Sequence, residues 1–357
     1  MIIYLLDRNM PFKASISLLC LFCLSCSNEG GLNSEPVRYF KSIERLDGDK
    51  IMAFDDYEVY RPVSFVMNDE YIYVQNRDEN MICVVNREAH EMETLLKRGQ
   101  GPGEALNIGY ITASADAAIS LECNKQFIIE IPFHSNKVEF TSLPLHYGAF
   151  TSIIKVQEGY VMLGNFKEGR YMYYKPSEGK TMFFGDYRVH YKYRGLDNFT
   201  KSLIYISSKL AVKPDMTRFV AINFNNGVID INGIDKDTIF NLKKLDFHYQ
   251  DVYVEGNKDI PRVSIKRSNK NGFFDVAASD EHIYAIYSGK SFEEAGIMLD
   301  HCDYLMVFDW DGNPAGCYKL NTPLYAISYS IQEKALFGIH LGEEAILYKF
   351  QLSLQDK

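Results

Sequence analysis

Three features of the sequence predict an all-β chain folded as a six-bladed β-propeller with four-stranded antiparallel blades. Short runs rich in Tyr, Phe, Ile and Val alternate with turn residues along most of the chain. A cadence of strand, acidic turn and strand returns with a period near the 40 to 50 residues typical of propeller blades, roughly six times over. Helical periodicity is nearly absent.

The clearest unit runs through residues 63–67, the turn Asn68-Asp69-Glu70, and residues 71–74, 81–85 and 93–96, which read as a four-strand meander. Residues 274–286 and 304–313 repeat the same phrase. Weaker copies lie at 152–184, 210–247 and 326–352, and residues 108–143 make the sixth. A single meander has two apolar faces and can bury neither alone, whereas a ring packs each blade between two neighbours. The aromatic content of 14% supplies wide side chains for those contacts. Residues 37–44 alternate like a strand ahead of the first blade, and the last unit holds only three clear strands. We therefore expect 37–44 to complete the last blade and close the ring.

The N-terminus carries an address. Residues 14–24 form an apolar run of the length of a signal-peptide h-region, preceded by Lys13 and followed by Ser25-Cys26. A membrane helix needs about 20 apolar residues, and the chain turns polar directly after Cys26. Residues 1–25 are read as a signal peptide, 26–36 as a tether and 37–357 as one propeller domain. Asp7 is an acid in what should be a basic n-region, and a start at Met10 gives a more compact leader. Cys23-Leu24-Ser25-Cys26 resembles the lipobox of bacterial lipoproteins, with Cys23 where that motif prefers Leu. The resemblance implies cleavage before Cys26, a diacylglyceryl group on its sulfur, and membrane attachment in the cell envelope as an outer-membrane lipoprotein.

Charge excludes one class of partner. The net charge is −9 with a pI near 5.5, and the lysines and arginines are scattered, which argues against a nucleic-acid groove. Loss of the leader removes Arg8, Lys13 and Asp7 and leaves the chain slightly more acidic, so the lipid has no polybasic helper. Of seven cysteines, Cys83, Cys123, Cys302 and Cys317 remain beside Cys26, and they make no disulfide framework. Pairing about the Asp311-Gly312 turn would place Cys317 opposite residue 306.

No catalytic constellation stands out. The eight histidines show no ligand spacing, no Gly-x-Ser-x-Gly elbow occurs, and the paired acids read as solvated turns; no metal or cofactor site is assigned. Gly99, Gly101, Pro102, Gly103 and Glu104 form a glycine-rich element, but a dinucleotide loop must follow a strand and open a helix, and the sequence beyond is β-rich. The element reads as a tight connection between the first two blades, with a ligand loop at the channel mouth as its alternative. Residues 187–194 interleave aromatics and cations and read as a strand with one face of each, rather than as a sugar-stacking surface. Residues 288–301 read as a rim loop or short helix, a common place for binding.

Residues 97–104, 304–314 and 325–339 together resemble the TolB-like six-bladed propeller lipoproteins of the Bacteroides group, and more distantly NHL-repeat propellers. Ala105-Leu106 stand where that family often has an aromatic. The resemblance implies a fold and an envelope address and no established reaction. The expected role is a binding or scaffold protein that holds a peptide, glycan or partner protein at the propeller face; the alternative is a hydrolase or lyase on a sugar or lactone with a channel metal. Cys26→Ser should leave an unprocessed or soluble protein, read by membrane fractionation and intact mass; unchanged partition and mature mass would refute the anchor.

Overall fold

Period-two patterning buries both faces of most strands, and the computed structural model shows how. It describes residues 35–143, 149–256 and 260–352, so Cys26 and the leader lie outside the described residues. Blade 1 comprises Pro62–Met67, Tyr71–Asn76, Asn80–Asn86 and Glu91–Arg98; blade 2, Thr112–Ala113, Ala117–Glu122, Phe127–Pro132 and Glu139–Ser142. Blade 3 comprises Phe150–Val156, Gly159–Gly164, Tyr171–Lys175 and Lys180–Phe184; blade 4, Ser208–Val212, Arg218–Asn223, Gly227–Asp235 and Thr238–His248. Blade 5 comprises Phe273–Ala278, His282–Tyr287, Cys302–Asp309 and Pro314–Leu324, and blade 6 begins with Ala326–Ser330, Ala335–Leu341 and Ala345–Phe350. This is the expected six-bladed propeller of antiparallel meanders. Tyr71, Phe219 and Ile283 all fall on second strands, as the repeat implies.

First strands contact one another around the ring and line its channel. Between each pair of blades lies an apolar core. Val74 meets Phe337 between blades 1 and 6, and Tyr73 and Ile82 meet Ile129 between blades 1 and 2. Leu121 shares a core with Met162, Tyr173 with Phe219, Phe247 with Phe308, and Leu305 with Phe350. Each such side chain contributes about 1.5–3 kcal/mol when fully buried, so a blade without neighbours would lose both of its faces to water. Cys317 pairs with Met306, the register anticipated from the turn. Among the described residues Cys83, Cys123, Cys302 and Cys317 are free thiols.

Ring closure differs from the expectation for residues 37–44. Pro36–Tyr39 is a short 3-10 helix, and the strand that completes blade 6 is Asp49–Ala53, antiparallel to Ala345–Phe350. The aromatics that mimic strand alternation have another task. Tyr39 and Phe40 fill the gap between blades 4 and 5, with ring centroids 5.6 Å from Phe247 and 5.3 Å from Phe308, respectively. Pro36 suits the first turn of a helix, where its missing N–H costs nothing. Glu44–Leu46 then runs parallel to the outer strand of blade 5. Gly48 lets the chain pass over the Phe350 ring, because a Cβ there would lie 2.5 Å from that ring.

Residues 187–194 are also not a strand. Their side chains reach separate elements: the Tyr187 hydroxyl donates to Gly164 O at 3.1 Å, Arg188 pairs with Asp230 and Asp246, and the Tyr193 hydroxyl donates to Asp251 Oδ1 at 2.6 Å. Alternation here serves a loop pinned at several points, with a 3-10 turn at Tyr191–Tyr193. Residues 288–301 do form a rim insertion, with a capped helical turn at Phe292–Ala295.

Removing residues 27–53 should strip blade 6 of its fourth strand and lower Tm by on the order of 10 °C, whereas removing 27–34 should leave Tm unchanged. Equal melting temperatures in differential scanning calorimetry would show that the closing strand carries no stability.

Candidate functional site

The channel narrows at its waist to a void of about 80 Å³, lined by side chains that the first strands aim sideways. In blades 1, 3 and 5 the pairing register shifts between Pro62 and Ser64, Phe150 and Ser152, and Phe273 and Asp275. An extra residue at such a bulge re-aims the next side chain, and each of these reaches the following blade. Ser64 Oγ accepts the Ile111 N–H at 3.2 Å, Ser152 Oγ accepts the Leu210 N–H at 3.2 Å, and Asp275 Oδ2 accepts the Ile327 N–H at 2.9 Å. The even blades answer: the Thr112 hydroxyl donates to Ile153 O at 2.6 Å, and Lys209 Nζ lies 3.1 Å from Asp275 Oδ1.

Lys209 and Asp275 are the charged residues of this lining. The ammonium sits 4.1 Å from the Tyr110 ring centroid and 4.7 Å from that of Phe274, a cation–π box. It meets the distance of an ion pair but not the angle of a hydrogen bond. Burial alone would favour loss of its proton. The Asp275 carboxylate, with Tyr110 and Tyr325 beside it, outweighs that cost and holds the ammonium above the ordinary lysine pKa. The surrounding void is about 80 Å³, room for two or three waters at about 30 Å³ each. Asp275 is already shared between an ammonium and a backbone N–H, so this donor set does not suit a divalent cation. No other cluster of three or more His, Cys, Asp or Glu with metal-binding geometry occurs among the described residues.

The two mouths of the channel are unlike. Turns between first and second strands and between third and fourth open on one face, where a basin of about 670 Å³ lies, within the range of about 300–1,000 Å³ usual for ligand sites. Blades 1, 2, 4, 5 and 6 contribute to its wall, with Asn68, Tyr71, Phe133, Asn136, Tyr329 and Gln332 presenting amides and rings. The turns are stiff for stated reasons. Asn68 Oδ1 accepts the N–H groups of Glu70 at 3.0 Å and Tyr71 at 2.7 Å, an Asx turn. Asn136 takes the left-handed conformation, φ 53°, and accepts the Tyr73 hydroxyl. Tyr329 stacks on Tyr284 with centroids 5.0 Å apart and planes 10° from parallel. Burial raises both phenols, which stay protonated donors.

On the opposite face, connections between blades and between second and third strands carry three insertions, residues 185–207, 249–272 and 288–301. They form one cap. The helix Asn198–Ile204 packs on Pro261–Ile265, the Arg267 guanidinium lies 4.4 Å from the Phe292 ring centroid, and Lys270 pairs with Glu294 at 2.6 Å. Beneath the cap Arg170 is buried, paired with Asp230 and stacked 4.5 Å from the Tyr205 ring centroid.

The glycine-rich element is not part of the basin. Glu104–Ala105 runs parallel to Lys97–Arg98 at the outer edge of blade 1, and the Glu104 carboxylate accepts the Gly101 N–H at 2.8 Å. A side chain at Gly99 would meet the Glu104 carboxylate, which would have to swing out of this turn. Gly103 is in the left-handed conformation, and Pro102 and Gly103 are exposed. Sequence reasoning missed Lys209 and Asp275. Their signal is a lone charge in an otherwise apolar inner strand, Lys209-Leu210-Ala211-Val212 and Phe273-Phe274-Asp275-Val276.

Fold and channel together define a six-bladed propeller scaffold, narrow at the waist and with a basin at one face. The chain belongs to the TolB-like 6-blade propeller-like family, whose model matches residues 81–332. No curated protein matches it. A putative exported protein from Bacteroides fragilis shares the fold at 8% identity and TM-score 0.52, covering 86% of this chain and 94% of that one. The WD40 repeats of RRP9 match at 9% identity and TM-score 0.50 over 87% and 100%.

Lys209→Met strands a buried carboxylate and should cost about 3–5 kcal/mol of unfolding free energy. The double variant Lys209→Met/Asp275→Asn should recover much of that loss in a double-mutant cycle; strict additivity would show that the pair is not coupled.

Proposed function

We propose that the protein is a lipid-anchored binding protein of the bacterial envelope, which holds a glycan or short peptide in the basin. The observation that carries this reading is the basin itself. Its volume suits a ligand of a few rings or residues, and its wall combines flat aromatic faces, which stack on sugar rings or side chains, with amides that hydrogen-bond hydroxyls and backbone groups. The ring of blades holds those groups on rigid turns, so little ordering entropy is lost on binding. The waist behind the basin narrows to about 80 Å³ beside the Lys209–Asp275 pair, too little room for a sugar ring or a residue to thread the channel.

The leader and Ser25-Cys26 support the address, as does the fold shared with an exported Bacteroides protein. A lipid at Cys26 would hold the scaffold at a membrane surface. The lining charges at the waist are committed to each other, and no observation favours the hydrolase or lyase reading.

Saturation-transfer NMR with peptidoglycan fragments, which carry both sugar and stem peptide, should show contact in the native protein. Tyr329→Ala should weaken binding by roughly tenfold, about 1.4 kcal/mol, and Tyr71→Ala/Tyr329→Ala should abolish it while Tm stays within a few degrees. Undiminished binding in the double variant would refute the basin as the site.

A further inference from the structure

The cap face exposes more apolar surface than folding requires. Nine of the sixteen exposed large hydrophobic side chains among the described residues lie on its three insertions. Ile297 is 84% exposed, Tyr191 72% and Tyr253 56%, and Ile265, Phe292 and Met298 accompany them. Scattered exposed apolar residues need no explanation, but clustered ones on a single face mark an interaction surface.

Two further observations say what covers it. First, the chain enters the propeller at this face. The Tyr39 hydroxyl donates to Gly312 O at the basin-side turn of blade 5, while upstream Glu35 lies near Tyr287, the last residue of a strand before insertion 288–301. From Glu35 back to Cys26 the chain can span at most about 30 Å when fully extended, which sets the longest leash from this point to an acyl group on Cys26. Secondly, the charge is asymmetric. The described residues of the three insertions hold nine lysines and arginines against seven acids, in a chain of net charge −9, so the cap carries a slight positive excess on an acidic protein.

We propose that the cap is a membrane-docking face, whose exposed aromatic and aliphatic tips seat among the headgroups of an anionic phospholipid bilayer. The inference rests on the lipid-anchor reading and adds an orientation to it. Aromatic rings with polar edges, such as Tyr191 and Tyr253, suit the headgroup zone, and Ile297 and Met298 suit the acyl boundary beneath it. Arg194 and Arg262, both exposed, stand on the same insertions to meet phosphates, while Lys192 and Lys266 are paired with Asp251. With the cap on the membrane, the basin faces away from it, open to ligand.

The test uses acylated protein on vesicles of phosphatidylethanolamine and phosphatidylglycerol, with an environment-sensitive fluorophore on I297C or, on the basin face, on Q332C. The label at 297 should shift blue and be quenched by brominated acyl chains, and the label at 332 should do neither. Equal responses on membrane-bound protein overturn docking and leave the anchor intact. An intact mass without a diacylglyceryl group overturns the anchor reading, and docking is then read on the unacylated chain. The Cys26→Ser chain should still partition weakly into these vesicles, with Ile297→Asp/Met298→Asp lowering partition at least tenfold at unchanged Tm. No effect of that pair overturns the proposal. So does a blue shift at 297 that needs no vesicles and tracks a dimer in sedimentation, which would make the cap a surface for a second copy of the chain.

Discussion

The grip of the first strands on one another around the channel is the constraint on which the rest of the structure depends. Each blade is a sheet with two apolar faces, and the ring is the only arrangement here that covers all twelve. Side-by-side first strands would diverge without lateral contacts, because their own hydrogen bonds run within blades. Bulges before Ser64, Ser152 and Asp275 supply those contacts by turning one side chain per odd blade toward the next. Blades 2 and 4 add Thr112 and the Lys209 ammonium to this chain of contacts.

Those contacts also decide what the channel can be. A buried ammonium next to a carboxylate is costly to desolvate and is tolerated where geometry over-determines it. Tyr110 and Phe274 supply that geometry as a cation–π box, and the pair lines the void of about 80 Å³ to which the axis narrows. The larger open volume thereby lies at the mouth and not along the axis. One mouth is a basin with stiff Asx-type turns, and the other is covered by insertions from blades 3, 4 and 5. The same chain thus presents two chemically distinct faces from six similar units, and both faces are carried by loops whose length the blade core does not restrict.

The blades were legible because period-two burial and turn residues are local signals. The segments 63–67, 71–74 and 81–85 coincide with strands, and the second-strand equivalence of Tyr71, Phe219 and Ile283 holds. Legibility failed where alternation served another purpose. Residues 37–44 look like a strand because Tyr39 and Phe40 must be apolar to wedge between Phe247 and Phe308. Residues 187–194 look like one because Tyr187, Arg188 and Tyr193 each answer a different partner. The true closing strand, Asp49–Ala53, is mostly exposed and carries little pattern, so its pairing is dictated by the free edge of Ala345–Phe350. In the candidate site, Tyr71 belonged to a legible strand, but its convergence with Phe133, Asn136 and Tyr329 did not show, since Phe133 and Asn136 lie on a turn of blade 2 and Tyr329 on a strand of blade 6.

The sequence by itself determined the class of fold, the number of blades and the strand register at Cys317, because each rests on neighbours within one hairpin or on a repeat of such hairpins. Only the tertiary structure decided which strand closes the ring, that Lys209 meets Asp275, that Glu104 turns into its own loop, and that the basin and the cap lie on opposite faces. Those outcomes depend on residues tens to hundreds of positions apart being brought together by ring closure, and no local periodicity encodes a contact made across blades.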